Sequence, residues 1–209
     1  GYLVKGALGY LENNSPRMVS TPWFDYQIPF EQAAELGTKK VINDHSTIGL
    51  VVTTDGSITD IPREDYVEAE KRVINELKAI NKPFVVILNS VYPTDPETEN
   101  LRQELEKSYE VPVISVNCAQ MGNKEISDIM ERILYEFPVC EIGINIPGWV
   151  EALESDYWLR TEMLQSIRDT FRGVQKIREA KDSIKKFDEY EFIKRVQLSE
   201  INAGVGNML

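Results

Sequence analysis

Phe84 to Leu88 reads FVVIL, and this run decides the fold class because five consecutive apolar residues predict a strand that is buried on both faces. Two further apolar runs have the same character, Ile48 to Thr53 before it and Val113 to Val116 after it. Strands of this kind are typical of parallel sheets covered by helices. The three runs therefore predict a layered α/β fold.

Helical periodicity fills the intervals between these runs. Apolar residues share one face of the segment from Tyr66 to Ile80, which Pro62 opens. A second segment, Leu101 to Tyr109, follows Asp95-Pro96, an N-cap with proline at the first helical position. A third runs from Ile126 to Phe137. This alternation of strand and helix predicts right-handed crossovers between parallel strands.

The alternation of strands and helices does not extend to either end of the chain. The first thirty residues are rich in turn formers, and the chain begins at Gly1 without a methionine or a leader pattern, so we expect an internal piece of a longer protein. A breaker pair, Pro147-Gly148, follows a candidate last strand at Glu141 to Ile146. We predict an α/β domain at residues 1–146 and the start of a mainly helical domain at residues 147–209.

Composition excludes several classes of function. The 209 residues include 34 acidic and 23 basic side chains, and the net charge of −11 disfavours binding to nucleic acid. No apolar run approaches the roughly 18 residues of a membrane-spanning helix. The two cysteines, Cys118 and Cys140, lack the spacing of metal ligands, so no metal site is expected in this chain.

Polar residues follow each apolar run at the carboxyl ends of the strands, where open parallel sheets bind ligands. Hydroxyl and amide groups there could orient a water molecule or hold a polar ligand, but the same residue types also form turns. Spacing alone leaves both interpretations open. The segments are Thr53-Thr54-Asp55-Gly56, Asn89-Ser90-Val91-Tyr92 and Asn117-Cys118-Ala119.

One nucleotide-binding motif is absent from these residues. The sequence contains no G-x-x-x-x-G-K-[ST], so no loop of this chain can cradle phosphates with backbone N–H groups and a lysine. A nucleotide-hydrolysing site could be only half present.

Several long and idiosyncratic strings give the chain a resemblance to one family. The chain resembles the stage IV sporulation protein A family, ATPases that build the basement layer of the bacterial spore coat. The strings include Pro16-Arg17-Met18, Thr21-Pro22-Trp23, His45-Ser46-Thr47-Ile48-Gly49, Thr53-Thr54-Asp55-Gly56 and Tyr135-Glu136-Phe137-Pro138-Val139.

The resemblance implies a partial P-loop NTPase-like fold, similar to the translation-factor-related GTPases, whose phosphate-binding loop precedes Gly1. Gly1 falls on the glycine of the D-x-x-G element, and Thr53 and Thr54 fall on paired threonines implicated in hydrolysis. The catalytic residues implied in this way are Thr53 and Thr54, and the nucleotide-binding residues are Gly1, Asp55, Asn89 and Ser90.

The base-recognition segment departs from the GTPase pattern. GTPases of this fold read guanine with N-K-x-D, but the equivalent here is Asn89-Ser90-Val91-Tyr92, with neither lysine nor aspartate. Guanine specificity is therefore not expected. Tyr92 either stacks on a base or packs within its loop.

The resemblance also implies partners and a location. The parent protein is expected to hydrolyse ATP with Mg²⁺, both held mainly by the preceding region, and to polymerise in the mother-cell cytoplasm at the forespore surface. Stage V sporulation protein M and other coat proteins are the implied partners, with the forespore membrane contacted indirectly. These 209 residues alone are expected to be inactive. The alternative is a structural module with a vestigial nucleotide pocket.

Overall fold

The structure is a computed structural model, and it describes residues 2–203 and 205–209. Contacts along the chain divide it into two compact units, one ending at Met130 and the other beginning at Glu131. A compact unit of this kind is defined by its contacts, whereas a domain is defined by its ability to fold alone. The division after Met130 therefore does not test the domain boundary predicted at Pro147, which stays a prediction. Within the described ranges, no helix is both long and apolar enough to span a membrane.

Two antiparallel hairpins lie near the start of the first unit, where the sequence indicated only turns. Asn13 and Asn14 connect the first pair with φ angles of 51° and 59°, a left-handed conformation that asparagine tolerates better than most residues. The strands are β1 (Leu11–Glu12) paired with β2 (Ser15–Pro16), and β3 (Met18–Thr21) paired with β4 (Phe24–Pro29).

Helix α1 (Phe30–Lys40) follows β4 directly and continues as a wider helical turn at Val41–His45. Lys82, from a later loop, donates through Nζ to the carbonyl oxygens of Ile42 and Ser46. These carbonyls lie at the end of the helical segment, where backbone acceptors lack helical partners. A cation at this end also interacts favourably with the helix dipole.

The central sheet confirms the prediction from the three apolar runs. Strand β5 (Gly49–Thr54), strand β6 (Phe84–Asn89) and strand β7 (Val113–Val116) are parallel and lie in the order β5-β6-β7. Gly49 lies opposite Phe84, and a Cβ at Gly49 would come within 2.9 Å of the Phe84 Cβ. Glycine is therefore required for the close approach of these two strands.

The three helices predicted around the sheet are present. Asp95 caps α3 as expected, because its side chain accepts a hydrogen bond from Glu97 N at 2.9 Å and Pro96 is the first helical residue. Helix α4 extends across the division between the two units. The helices are α2 (Val67–Ala79), preceded by a tight turn at Arg63–Tyr66, then α3 (Pro96–Tyr109) and α4 (Asn123–Tyr135).

One core joins the sheet to α2 and α3. Ile74, Leu77 and Val86 are at most 2% exposed, and burial of a side chain of this size contributes about 1.5–3 kcal/mol. This core fixes the positions at which the strands end. Its buried members are Val51, Ile74, Leu77, Phe84, Val86, Leu88, Leu105, Tyr109, Val111 and Val113.

Strand β5 differs from the prediction that it is buried on both faces. Its residues Leu50 and Val52 are 50% and 58% exposed, whereas Val51 is buried. The apolar pattern reports a preference for burial, but it does not ensure that a neighbouring element covers both faces. Among the described residues, β5 pairs only with β6 and is therefore an edge strand.

The second unit combines short helices with a small sheet. Its core includes Ile177, Ala180 and Met208, with Phe171 packed against them. The candidate strand at Glu141 to Ile146 is shorter than predicted and belongs to this small sheet, whose order is β8-β10-β9. The elements are β8 (Glu141–Ile142), α5 (Gly148–Glu151), α6 (Trp158–Phe171), α7 (Ile177–Ser183), a tight turn at Ile184–Glu189, β9 (Ile201–Asn202) and β10 (Asn207–Met208).

A buried carboxylate also stabilises the second unit. The Glu136 side chain has no exposed surface, and it accepts from Lys176 Nζ at 2.8 Å and from Arg178 Nε at 2.6 Å. Two partly exposed cations thus compensate one buried charge, which would be left unpaired inside the protein if both cations were removed.

Candidate functional site at the carboxyl edge of the sheet

The carboxyl ends of β5 and β6 bring the predicted site residues to one edge of the sheet. Thr53 lies opposite Leu88 in the strand register, and Thr54 lies opposite Asn89. Both threonines are 5% exposed, and Ser90 has no exposed surface. The parallel order of the strands therefore places the two segments side by side, as the sequence predicted.

Thr53 is part of a buried charged network. Its Oγ1 accepts from Arg63 Nη1 at 3.3 Å, and Arg63 Nη2 donates to Glu70 Oε1 at 2.8 Å. The Tyr109 hydroxyl donates to the same Glu70 oxygen at 2.6 Å. Burial raises the pKa of Tyr109, and the hydrogen bond and charge of Glu70 raise it further. The Thr53 hydroxyl is thus held by a network that reaches α3.

Sequence reasoning missed Arg63, Glu70 and Tyr109 as members of this network. A signal existed, because Glu70 lies four residues after Tyr66 and four before Ile74, within the apolar stripe of α2. A charged residue in such a stripe is normally paired when buried. The Glu70 side chain is 2% exposed, and its second oxygen, Oε2, has no hydrogen-bond partner among the described residues.

Thr54 and Asp55 form the turn that ends β5. Thr54 Oγ1 accepts from Gly56 N at 3.0 Å and donates to Asp55 Oδ1 at 3.4 Å. Gly56 has a φ of 93°, which favours glycine at this point of the turn. Asp55 Oδ1 also accepts from the backbone N–H and the hydroxyl of Ser57, at 2.9 and 2.6 Å.

Asp55 is held in its charged form. Burial on its own would raise the pKa of this carboxyl, but hydrogen bonds from Ser57, Ser90 and Thr98 outweigh burial and lower the pKa below its usual 3.8. The Asp55 carboxylate therefore remains negative at neutral pH.

Asn89 and Ser90 organise the loops that follow β6 and β7. Asn89 Oδ1 accepts from Cys118 N at 2.9 Å, so this side chain anchors the segment after β7. Ser90 Oγ accepts from Tyr92 N at 2.9 Å. Tyr92 was predicted either to stack on a base or to pack within its loop. Its side chain is 68% exposed, so the structure does not show packing within the loop. Its ring is accessible at the edge of the sheet.

The structure therefore brings five of the six predicted site residues together. Gly1 lies outside the described residues. The hydroxyls of Thr53 and Thr54 make hydrogen bonds within the protein, and their predicted role in hydrolysis stays a prediction. The five residues are Thr53, Thr54, Asp55, Asn89 and Ser90.

The residues at this edge do not fit a magnesium ion. Within residues 2–203 and 205–209, no group of three or more His, Cys, Asp or Glu side chains could hold a metal. Both oxygens of Asp55, the carboxylate nearest the paired threonines in sequence, already accept hydrogen bonds from protein groups. These residues therefore support no catalytic step through a metal ion that they would hold themselves.

Two family models together cover the chain. The first describes the stage IV sporulation protein A ATPase domain and matches residues 1–138, and the second describes the middle domain of the same protein and matches residues 139–209. The chain belongs to the stage IV sporulation protein A family. These two matches confirm the resemblance expected from the sequence. Every predicted site residue lies within the part that matches the ATPase domain.

Curated relatives agree with this assignment. Stage IV sporulation protein A of Bacillus anthracis and that of Bacillus subtilis (strain 168) are each 46% identical to the chain over 206 residues. The protein of the same name from Clostridioides difficile (strain 630) is 48% identical over 206 residues. These matches cover 99% of the chain but 42% of each relative. No solved structure matches the chain.

Proposed function

We propose that this chain is the distal part of an ATP-hydrolysing protein that assembles the basement layer of the spore coat. The match to an ATPase domain over residues 1–138 is the observation that carries the proposal. The parallel sheet supports it, because ligands of such sheets bind at the carboxyl edge, where Thr53, Thr54, Asn89 and Ser90 meet. On this proposal ATP lies across the ends of β5 and β6, with its base near Asn89 and Ser90.

The polar groups at this edge lack the side chains that would select guanine. Ser90 occupies the position of the guanine-binding lysine, and its hydroxyl is buried and bonded to the Tyr92 backbone. Tyr92 occupies the position of the aspartate and has no carboxylate to accept the guanine N–H groups. Its exposed ring is available to stack on a base of either kind.

The test compares nucleotide hydrolysis in a polypeptide of the relatives' length. We expect hydrolysis of ATP and little hydrolysis of GTP, and we expect the double variant Thr53→Ala, Thr54→Ala to lose ATP turnover. Thr161→Ala is the matched control, because Thr161 is an exposed residue on α6, outside the sheet. Full activity of the double variant would refute the catalytic assignment.

The same proposal includes the cellular role. The protein acts in the mother-cell cytoplasm at the forespore surface, binds Mg²⁺ with ATP, polymerises with copies of itself and contacts stage V sporulation protein M and other coat proteins. Light scattering of the longer polypeptide with ATP tests polymerisation. Co-sedimentation with vesicles that carry stage V sporulation protein M tests recruitment, with vesicles that lack it as the control.

A structural module is the second candidate function. It is favoured by one observation, that both threonine hydroxyls make hydrogen bonds within the protein. In this case the longer polypeptide would assemble without hydrolysing ATP. On both readings we expect no ATP turnover from residues 1–209 alone, because no segment in them can cradle phosphates.

A further inference from the structure

One carboxylate connects the two loops that form the edge of the sheet. Asp55 Oδ1 accepts from the Ser57 hydroxyl at 2.6 Å, and the oxygen of that hydroxyl accepts from Val91 N at 3.0 Å. The Ser57 hydroxyl thus links Asp55, in the loop after β5, to the backbone of Val91, in the loop after β6. A hydroxyl can do this because it donates and accepts at once.

The second oxygen of Asp55 connects the same loop to α3. Asp55 Oδ2 accepts from Thr98 Oγ1 at 3.3 Å, and Thr98 Oγ1 lies 3.4 Å from Ser90 Oγ. Thr98 and Ser90 are 5% and 0% exposed, so water does not compete effectively for these contacts. Hydrogen bonds to a charged acceptor are stronger than those between neutral groups.

We propose that Asp55 is a positioning residue, which holds the loop carrying Thr54 against the loop carrying Ser90 through Ser57 and Thr98. The family resemblance implied that Asp55 binds the nucleotide, but its oxygens accept hydrogen bonds from protein donors. The effect of this loop alignment on hydrolysis rests on the proposed function, because it requires that ATP contact both loops. The alignment itself is a property of the chain and can be tested without a nucleotide.

Amide hydrogen exchange of the 209-residue chain tests the alignment. In Asp55→Ala we expect the Val91 amide to exchange roughly tenfold faster or more, since its acceptor is no longer oriented. The Val86 amide, bonded to Pro112 O at 2.9 Å in the sheet, reports any general loss of stability. Asp60→Ala is the matched control, because Asp60 is an exposed aspartate of the same loop.

Two results of this experiment decide the inference. It is supported if the Val91 amide accelerates more than the Val86 amide, and if Asp55→Asn, which keeps the shape of the side chain, gives a smaller effect in the same direction. It is overturned if the Val91 amide exchanges at the same rate in Asp55→Ala and Asp60→Ala.

Hydrolysis by a polypeptide of the relatives' length tests the consequence for the site. We expect Asp55→Asn to lower kcat by roughly tenfold while KM for ATP changes less, because misaligned groups lose mainly interactions made in the transition state. Asp60→Asn should leave both constants unchanged. Equal kcat values for the two variants would overturn the positioning role. If the unaltered polypeptide does not hydrolyse ATP, the proposed function fails, and exchange alone then decides on Asp55.

Discussion

Removal of the Glu70 carboxylate should destabilise the first unit strongly. In Glu70→Ala the Arg63 guanidinium, whose side chain is 18% exposed, loses its buried counter-ion, and the Tyr109 hydroxyl loses its acceptor at 2.6 Å. Breaking a buried ion pair costs about 3–5 kcal/mol, and an unsatisfied buried hydroxyl costs about 1–3 kcal/mol. The two terms overlap because they share one carboxylate, so we expect about 4 kcal/mol in total.

Urea denaturation of the 209-residue chain measures this loss. With a slope of about 2 kcal/mol per molar urea, the midpoint should fall by roughly 2 M. Tyr109→Phe removes one hydrogen bond and leaves the ion pair, so it should cost only about 1–2 kcal/mol. Glu68→Ala is the control, because Glu68 is an exposed glutamate on the same helix and should stay within about 0.5 kcal/mol of the original chain. A midpoint for Glu70→Ala equal to that of Glu68→Ala would refute the network as a source of stability.

Three further predictions concern other parts of the chain. Because the pKa of Asp55 is below 3.8, its charged carboxylate stabilises the fold above about pH 4, and this contribution is lost as the pH falls through the lowered pKa. Asp55→Asn should therefore weaken the decrease of the urea midpoint as the pH is lowered from about 5. An equal decrease in Asp55→Asn and in the original chain would contradict the lowered pKa. Glu136→Ala should destabilise the second unit by about 1–3 kcal/mol, because it removes two hydrogen bonds to a charged acceptor while Lys176 and Arg178 stay partly exposed to water. Faster amide exchange in the second unit measures this loss, and exchange in Glu131→Ala, at an exposed position, should match the original chain. Leu50 and Val52 are exposed apolar residues on an edge strand, so replacing both by threonine should reduce self-association of the 209-residue chain at little cost in stability. Light scattering measures self-association, and equal scattering from the variant would show that this surface of β5 is not responsible.

The sequence predicted those parts of the fold that depend on neighbouring residues. Strand β6 is apolar from Phe84 to Leu88, and the Asp95-Pro96 signal that begins α3 is local to one turn of helix. Both predictions are confirmed because neither requires knowledge of a distant partner. The exposure of Leu50 and Val52 was missed for the opposite reason, since it depends on which elements lie beside β5.

The sequence predicted which residues lie together at the candidate site, but not the contacts that they make. Strand ends are visible in a sequence, and the predicted parallel order of the strands placed Thr54 beside Asn89, as the structure shows. The partners of these residues come from distant segments: Cys118 donates to Asn89, and Thr98 donates to Asp55. Such pairings follow from the packing of α3 and the loops, which no local pattern specifies.

The parallel order β5-β6-β7 has a consequence for the speed of folding. Each ladder in this sheet joins strands that are separated in the chain by a helix, so the entropy of closing a long loop is lost before the first pair forms. The hairpin of β3 and β4 has no such delay, because its strands are adjacent and hairpins form in about 1–10 μs. We therefore expect the sheet that carries the candidate site to appear late, after the hairpins at the start of the chain are already complete.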